Sequence, residues 1–561
     1  MPSIEASFTD VQTIRVDRPD VVWFLGGIRS SDRAAIDHLV DSGDGESFCK
    51  VHGDALVVRI DTGARPTVTI WRSLFSSHEL FWSVRPTGDV VVADLYRNMM
   101  AALPVAERAT SDLTVTSHYL SRKPYCPLTM SASVMRTSFA TRLDIDLLTG
   151  EVTSTRFDSV SSAVEPRRPT EYLEAVEHAL MSSLDEIDDP ASTALMFSGG
   201  VDSTLVLALD PAAMRPVSFV PETPEFLPET EYARRAASLL GIQLEEIPVS
   251  EDLFVELLER ATDVSAVPLF DDSSPYFHHV FENTGYTTFV FGLGADSAFG
   301  QSLKLARVSN GLRFTPIRQA LSALAPRTSG HLGYRIGQVA SRAEGFAKDP
   351  WDPDGWAGNT RSSGDVRLLE QLMGPELPRE ARDRQLAQVR ELVDDVGTNR
   401  STFLSHIEIS HWMVVFGGTL YESKLSTNGL GKRSVGPYGD WRVLGELARV
   451  PLEERYVAGL RAKWMLKDLL RQKVPGYPVN QRKKATALPW QRFYTDGPLT
   501  GIWDRYPVPD LFTGDLRRRV VEDPTLTTWN AITHSVWEER VRKNPNLTPM
   551  GVVESVSLPF G

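Results

Sequence analysis

The chain has 561 residues, 42% of them hydrophobic and 24% charged, and carries a formal net charge of −14. That length exceeds one ordinary core and predicts two or three domains, while the acidic balance argues against a nucleic-acid partner, which needs a basic footprint. No apolar run reaches the roughly 18 residues needed to cross a bilayer, so no membrane partner is expected. Two cysteines, Cys49 and Cys126, are the usage of a reduced compartment, and they are too few for a Cys-x-x-Cys metal site. The opening MPSIEASFTD lacks a basic segment followed by an apolar one, so a cytoplasmic protein is expected.

Residues 1 to about 160 alternate short apolar runs with turns. DALVVRIDT (54–62), PTVTIW (66–71) and DVVVADL (89–95) predict a mainly β module of packed sheets. Periodicity lapses around two prolines in SSAVEPRRPTE (161–171), which places a boundary near 165. EYLEAVEHALMSSLDEI then reads as an amphipathic helix leading into TALMFSGGVDSTLVLALD. VSFVPE (217–222) reads as a buried strand, EYARRAASLLG as a helix, and TTFVFGLGADSAFG (287–300) as a second strand, glycine turn and helix. This alternation predicts an α/β fold with a doubly wound parallel sheet and its ligand at the carboxyl ends of the strands. From 301 onward the chain reads as mostly helical.

The run FSGGVDST has the composition of a phosphate cradle. Ser198, Gly199 and Gly200 free consecutive backbone N–H groups to face an anion, and the helix opening near Ser203 and Thr204 adds its positive end. Asp202 would be repelled there unless a divalent cation bridged it to a nucleotide, so ATP with Mg2+ is the expected occupant. The second turn, Gly292-Leu293-Gly294-Ala295-Asp296, puts another carboxylate at a neighbouring strand end. Asp202 and Asp296 are therefore the candidate metal ligands, and the competing expectation for Asp296 is a helix N-cap.

The loop resembles the PP-loop of ATP pyrophosphatases, which cleave ATP between the α and β phosphates and make an adenylate. The order SGGVDS, ETEYARRAASLLGI, PLFDDSSPYF and FGLGADSAFG is similar to the synthetase domain of asparagine synthetase, continuing weakly through GPYGDWRVLGELARVPLEE and KWMLKDLLR to RKKATALPW. The resemblance implies a glutamine amidotransferase-like β-rich (αββα) domain over 1–165 and an ATP-pyrophosphatase domain with helical additions over 166–561. It also places Lys484 of Arg482-Lys483-Lys484 where positive charge stabilises adenylation and acyl transfer, with Asp296 as its partner in catalysis.

Three departures shape the function. The family's glutaminase uses a cysteine exposed at the N-terminus after methionine removal, and here Pro2 stands in that position, which makes the front domain degenerate. The family's glutamate, or tyrosine in β-lactam synthetases, between the glycines is Leu293, which cannot move a proton. Its glutamate-x-arginine pattern is Arg433-Ser434-Val435 ahead of Pro437 and Tyr438, while Asp440 is retained, so small amino-acid contacts do not transfer.

Lasso-peptide cyclases resemble this combination. They join a peptide's N-terminal amine to an aspartate or glutamate side chain, and an α-amine of pKa about 7.7 to 8.0 needs little help from a base. The implied partners are a precursor or core peptide, with room for a leader-binding protein and a leader peptidase. Two alternatives stay open: a small-molecule amide or β-lactam synthetase, and a non-catalytic ATP-binding paralogue. The aromatics Trp351, Trp356, Phe403, Trp412, Phe416 and Tyr421 either wall a peptide cavity or form ordinary core. His406-x-Glu408-x-x-His411 has the wrong spacing for a zinc helix, and His278-His279 reads as structural.

Overall fold

The computed structural model describes the chain apart from residues 1–3, 9–13, 29–31, 52, 162–163, 186, 301–314, 325–335, 337–348, 354–365, 395–401, 419, 458–460, 482–487, 523 and 551–561. Among the described residues no helix is long and apolar enough to cross a membrane.

The front of the chain forms two sheets. Strands β1 (Ile4–Ser7), β6 (Phe81–Val84), β7 (Val90–Ala93) and β8 (Met135–Arg136) run in the order β1-β7-β6-β8. Strands β2 (Ile14–Arg18), β3 (Val21–Gly26), β4 (Leu56–Asp61), β5 (Thr67–Arg72), β9 (Thr141–Asp146) and β10 (Val152–Arg156) run as β10-β9-β5-β4-β3-β2, antiparallel throughout. The expected strands at 54–62, 66–71 and 89–95 are β4, β5 and β7. Because side chains alternate across a strand, Val22, Phe24, Leu56 and Val58 meet Val90 and Val92 between the sheets, while Trp23, Leu25 and Val57 face outward. The helix Arg33–Ser42 covers that outer face with Ile36 and Leu39, and the helix Tyr96–Ala102 covers the other sheet with Tyr96, Met99 and Met100. The layers run helix, sheet, sheet, helix.

The second half is built on a five-stranded parallel sheet of order β13-β12-β11-β14-β15. Its strands are β11 (Thr193–Met196), β12 (Arg215–Pro221), β13 (Glu245–Val249), β14 (Thr288–Phe291) and β15 (Arg433–Val435). Ala194 and Met196 pack toward the helix Ser274–Asn283, and Leu195 and Phe197 toward the helices Pro169–Leu184, Val201–Leu209 and Leu227–Leu240. Helices thus cover both faces, as parallel strands require.

Arg433-Ser434-Val435 is an edge strand paired with Thr288–Val290, and it also lines a cavity together with Leu420, Asp440 and Trp441. Three residues with one apolar side chain, between Gly431 and Gly436, carry no period-2 signal, so only pairing with β14 makes them a strand. The aromatics Trp412 and Phe416 are core, stacked on each other 5.7 Å apart and packed with Phe139 and Val389. Trp351 joins that core from its edge, Tyr421 is buried against the front module, and Trp356 and the side chain of Phe403 lie outside the described residues.

Within the front module Glu79 lies between Arg136, 2.6 Å away, and Arg72, 3.3 Å away, with all three side chains buried. Burial opposes the Glu79 charge, but the two guanidiniums hold its carboxyl at about 2. Leu74, Cys126 and Phe139 share one core with Leu386, Val389 and Trp412 across residue 165.

Candidate functional site

The site forms where β11 and β14 end side by side, with Met196 opposite Phe291. Beyond β11 the chain turns through Ser198, Gly199 and Gly200 into the helix Val201–Leu209. Gly199 has φ of +66°, and an added Cβ would fall 2.8 Å from Ala233 Cα and from the Tyr232 carbonyl, so only glycine fits without strain. Ser198 N donates to Ser203 Oγ at 3.3 Å, and Gly200 N to Ser198 Oγ at 3.4 Å, which closes the loop on itself. Gly200 at the N-cap leaves the first-turn N–H groups without a side-chain cap, the arrangement that receives anions.

The second turn presses against the first: a Cβ on Gly292 would lie 3.0 Å from Ser203 N and 3.4 Å from Asp202 Cβ. Gly294, at φ +92°, is the N-cap of the short helix Ala295–Ala298. Asp296 therefore sits inside the first turn rather than at the cap, and its carboxylate is spent elsewhere.

That elsewhere is Lys463. Its ammonium stands 2.6 Å from Asp202 Oδ2 and 2.9 Å from Asp296 Oδ1. Burial opposes this charge, but Asp202 and then Asp296 raise the ammonium above the ordinary lysine value. Lys463 precedes the helix Trp464–Lys473 with φ of +53°, a left-handed conformation rare for a side chain with a Cβ. Sequence reading passed over it: Lys463 opens the quoted segment KWMLKDLLR, but a single lysine ahead of an amphipathic helix has no signature of its own.

Two tyrosines brace the loop from behind. Tyr438 Oη donates to the Asp202 carbonyl at 2.8 Å, and Tyr477 Oη donates to the Gly199 carbonyl and shares a 3.2 Å hydrogen bond with Thr204 Oγ1. Thr204 is fully buried, so its hydroxyl serves the loop's support. Asp440 caps the helix Trp441–Arg449 through Arg442 N and pairs with Arg442 Nε at 3.0 Å.

A cavity of 320 Å³ opens in front of the turns. Ser198, Asp202, Ser203, Gly292, Leu293, Gly294 and Asp296 line it, whereas Gly199, Gly200 and Thr204 lie outside its wall. Its other side is apolar, made of Val217, Phe219, Phe226 and Phe277, with Glu229 at the start of the helix Leu227–Leu240. One half thus suits phosphates and the other a flat heterocycle. Two carboxylates aimed at one cationic nitrogen also fit a divalent cation, with phosphate oxygens completing its oxygen shell. Arg482, Lys483 and Lys484 lie outside the described residues.

The histidines are placed structurally. His406, Glu408 and His411 are buried along the helix Thr402–Phe416. His278 Nδ1 meets Ser426 Oγ at 2.9 Å. Cys49 and Cys126 are both free thiols.

Residues 174–505, more than half of the chain, match the protein family described as Asparagine synthase. Comparison with curated proteins gives no match.

Proposed function

The chain belongs to the asparagine synthase family, and from that premise we propose that it is an AMP-forming carbon–nitrogen ligase that cyclises a peptide, joining its N-terminal amine to an aspartate or glutamate side chain. The family forms amide-type bonds at the expense of ATP. The observation that carries the reading to this chain is the convergence of Asp202 and Asp296 on one cationic centre beside the 320 Å³ cavity.

In this reading the Ser198–Gly200 turn and the following helix end hold the phosphates, and the phenylalanine wall holds the base. Asp202 and Asp296 would hold Mg2+, whose positive charge would offset the negative charge of the phosphates. Lys463 keeps the two carboxylates from repelling each other until nucleotide arrives, and it then has a second anion within reach. The peptide carboxylate attacks the α-phosphate and pyrophosphate departs. The peptide's own amine then attacks the acyl carbon and AMP departs. Holding the amine against the acyl group is a task of orientation, which supplies much of the rate.

Leu293 favours an amine that arrives neutral, since it stands where the family has the inter-glycine base. The test is substrate-dependent ATP–pyrophosphate exchange, comparing linear peptides bearing an acidic residue seven to nine positions from a free N-terminus with small amino acids and carboxylates. Exchange with peptides, followed by loss of water in mass spectrometry, is the expected result. Exchange with small acids alone would make this a diffusible-amide synthetase, and none at all would make it a nucleotide-binding paralogue.

A further inference from the structure

We propose that Leu293 is a specificity-determining residue: an apolar cover over the acyl-adenylate that keeps water from the reacting carbonyl and selects an amine that arrives already neutral. The inference rests on the adenylating reading above.

Leu293 projects from a turn whose path is tightly set. Gly292 sits tightly against Ser203 N and Asp202 Cβ, where an added Cβ would fall 3.0 and 3.4 Å away, and Gly294 takes a left-handed φ. The side chain between them is 38% exposed and lines the cavity beside Ser198, Asp202, Ser203 and Asp296. Single exposed leucines are ordinary on an open surface. This one stands among the polar groups at the end of the cavity to which the adenylating reading assigns the phosphates and the acyl group. The carboxylates in the described wall are Asp202 and Asp296, both engaged by Lys463, and Glu229 on the helix Leu227–Leu240.

The chemistry follows. A neutral amine forms the C–N bond with its lone pair while the C–O bond to the adenylate breaks. AMP leaves with that electron pair, and the surplus amine proton passes to the departing phosphate or to solvent. Water attacking the same carbon returns the free acid and AMP and consumes ATP for nothing. A leucine at the carbonyl removes ordered water from its approach. It also offers no group to deprotonate an ammonium, so the accepted nucleophile is one with a low pKa. At neutral pH an α-amine is neutral roughly several hundred times more often than a lysine side chain.

The test uses two linear peptides, each with aspartate at position 8: one with a free N-terminus, the other acetylated there and carrying lysine at position 1. The readout is AMP released per amide formed. The wild-type protein is expected to give near one AMP per amide with the first peptide and almost no amide with the second. Leu293→Ala and Leu293→Ser should raise the ratio about tenfold by admitting water, and Leu293→Met should restore it. Leu293→Glu should form amide with the lysine peptide and extend the pH profile to lower pH. An unchanged ratio in the alanine and serine variants, with AMP and amide still produced, overturns the cover alone. Absence of pyrophosphate exchange by the wild type with every acid tested overturns the adenylating reading and the cover with it.

Discussion

The Lys463 ammonium donates to the Asp202 carboxylate at 2.6 Å across 261 positions of sequence, and the same nitrogen holds Asp296 at 2.9 Å. This one side chain ties together the two glycine turns and the start of the helix Trp464–Lys473.

Lys463→Met should lower pyrophosphate exchange by about a hundredfold or more, since positive charge aimed at developing phosphate charge is a large catalytic contribution. It should also lower the Mg2+ concentration needed for half-maximal exchange in the remaining activity, because no ammonium competes for the carboxylates. Asp202→Asn and Asp296→Asn should abolish exchange with circular dichroism unchanged. Full turnover by Asp296→Asn would remove it from the metal site.

Gly199→Ala meets two penalties, a positive φ and a Cβ 2.8 Å from backbone atoms of the neighbouring helix. The loop must shift, so exchange should fall by about two orders of magnitude for a displacement of about an ångström. Stability should drop by about 1 kcal/mol or more, measurable by denaturant titration. Gly285→Ala, where an added Cβ meets nothing within 4 Å, is the control.

His118 and His534 are buried against each other 5.8 Å apart, between the front module and the helix Leu526–Trp537. Burial lowers His118 to about 4 and His534 to about 3. Unfolding lets both return to the ordinary value near 6.5. Their contribution is therefore whole above pH 6.5 and is lost as pH falls toward 4 and 3, because the unfolded chain binds protons that the folded chain refuses. Urea titrations between pH 7 and 4.5 should show this slope, and His118→Phe with His534→Phe should flatten it. An unchanged slope in the double variant would remove these two histidines as its source.

Glu79→Gln leaves Arg72 and Arg136 buried without their shared carboxylate. Breaking a buried pair from one side typically costs about 3 to 5 kcal/mol, so a large loss of stability at pH 7 is expected by denaturant titration. Because the Glu79 carboxyl sits at about 2 in the folded chain, its stabilisation is present above pH 4.5 and is lost as pH falls through 2.

Much of the ATP half of the site could be read locally. TALM, two glycines and a helix-forming run specify strand, turn and helix within a dozen residues, and the FGLGADS segment repeats the device. Both turns depend on backbone conformations set by their own glycines, so the adjacency of Asp202 and Asp296 followed once the strands were taken as parallel. Leu293 stood out only against the family resemblance, as a leucine where a glutamate or tyrosine is expected between the glycines.

Lys463, Tyr438 and Tyr477 were not legible. A lysine that holds two carboxylates has the same local pattern as one in water, and a tyrosine that braces a loop reads as core. Strand β15 was missed because Arg433, Ser434 and Val435 owe their extended shape to hydrogen bonds with β14 rather than to their own propensities. Trp412 and Phe416 read equally as core or as cavity wall within their own stretch of sequence, and the front module decides for core by supplying Phe75 and Phe139 to bury them.

Sequence alone thus determined the phosphate turns, the acidic pair, the α/β class and the leucine between the two glycines, because each is set by residues a few positions apart. Only tertiary structure decided which cation joins the acidic pair, which aromatics wall the cavity and how the two halves share a core around Phe139 and Trp412. Those depend on side chains brought together from hundreds of positions away, where burial and charge pairing, rather than local preference, fix the outcome.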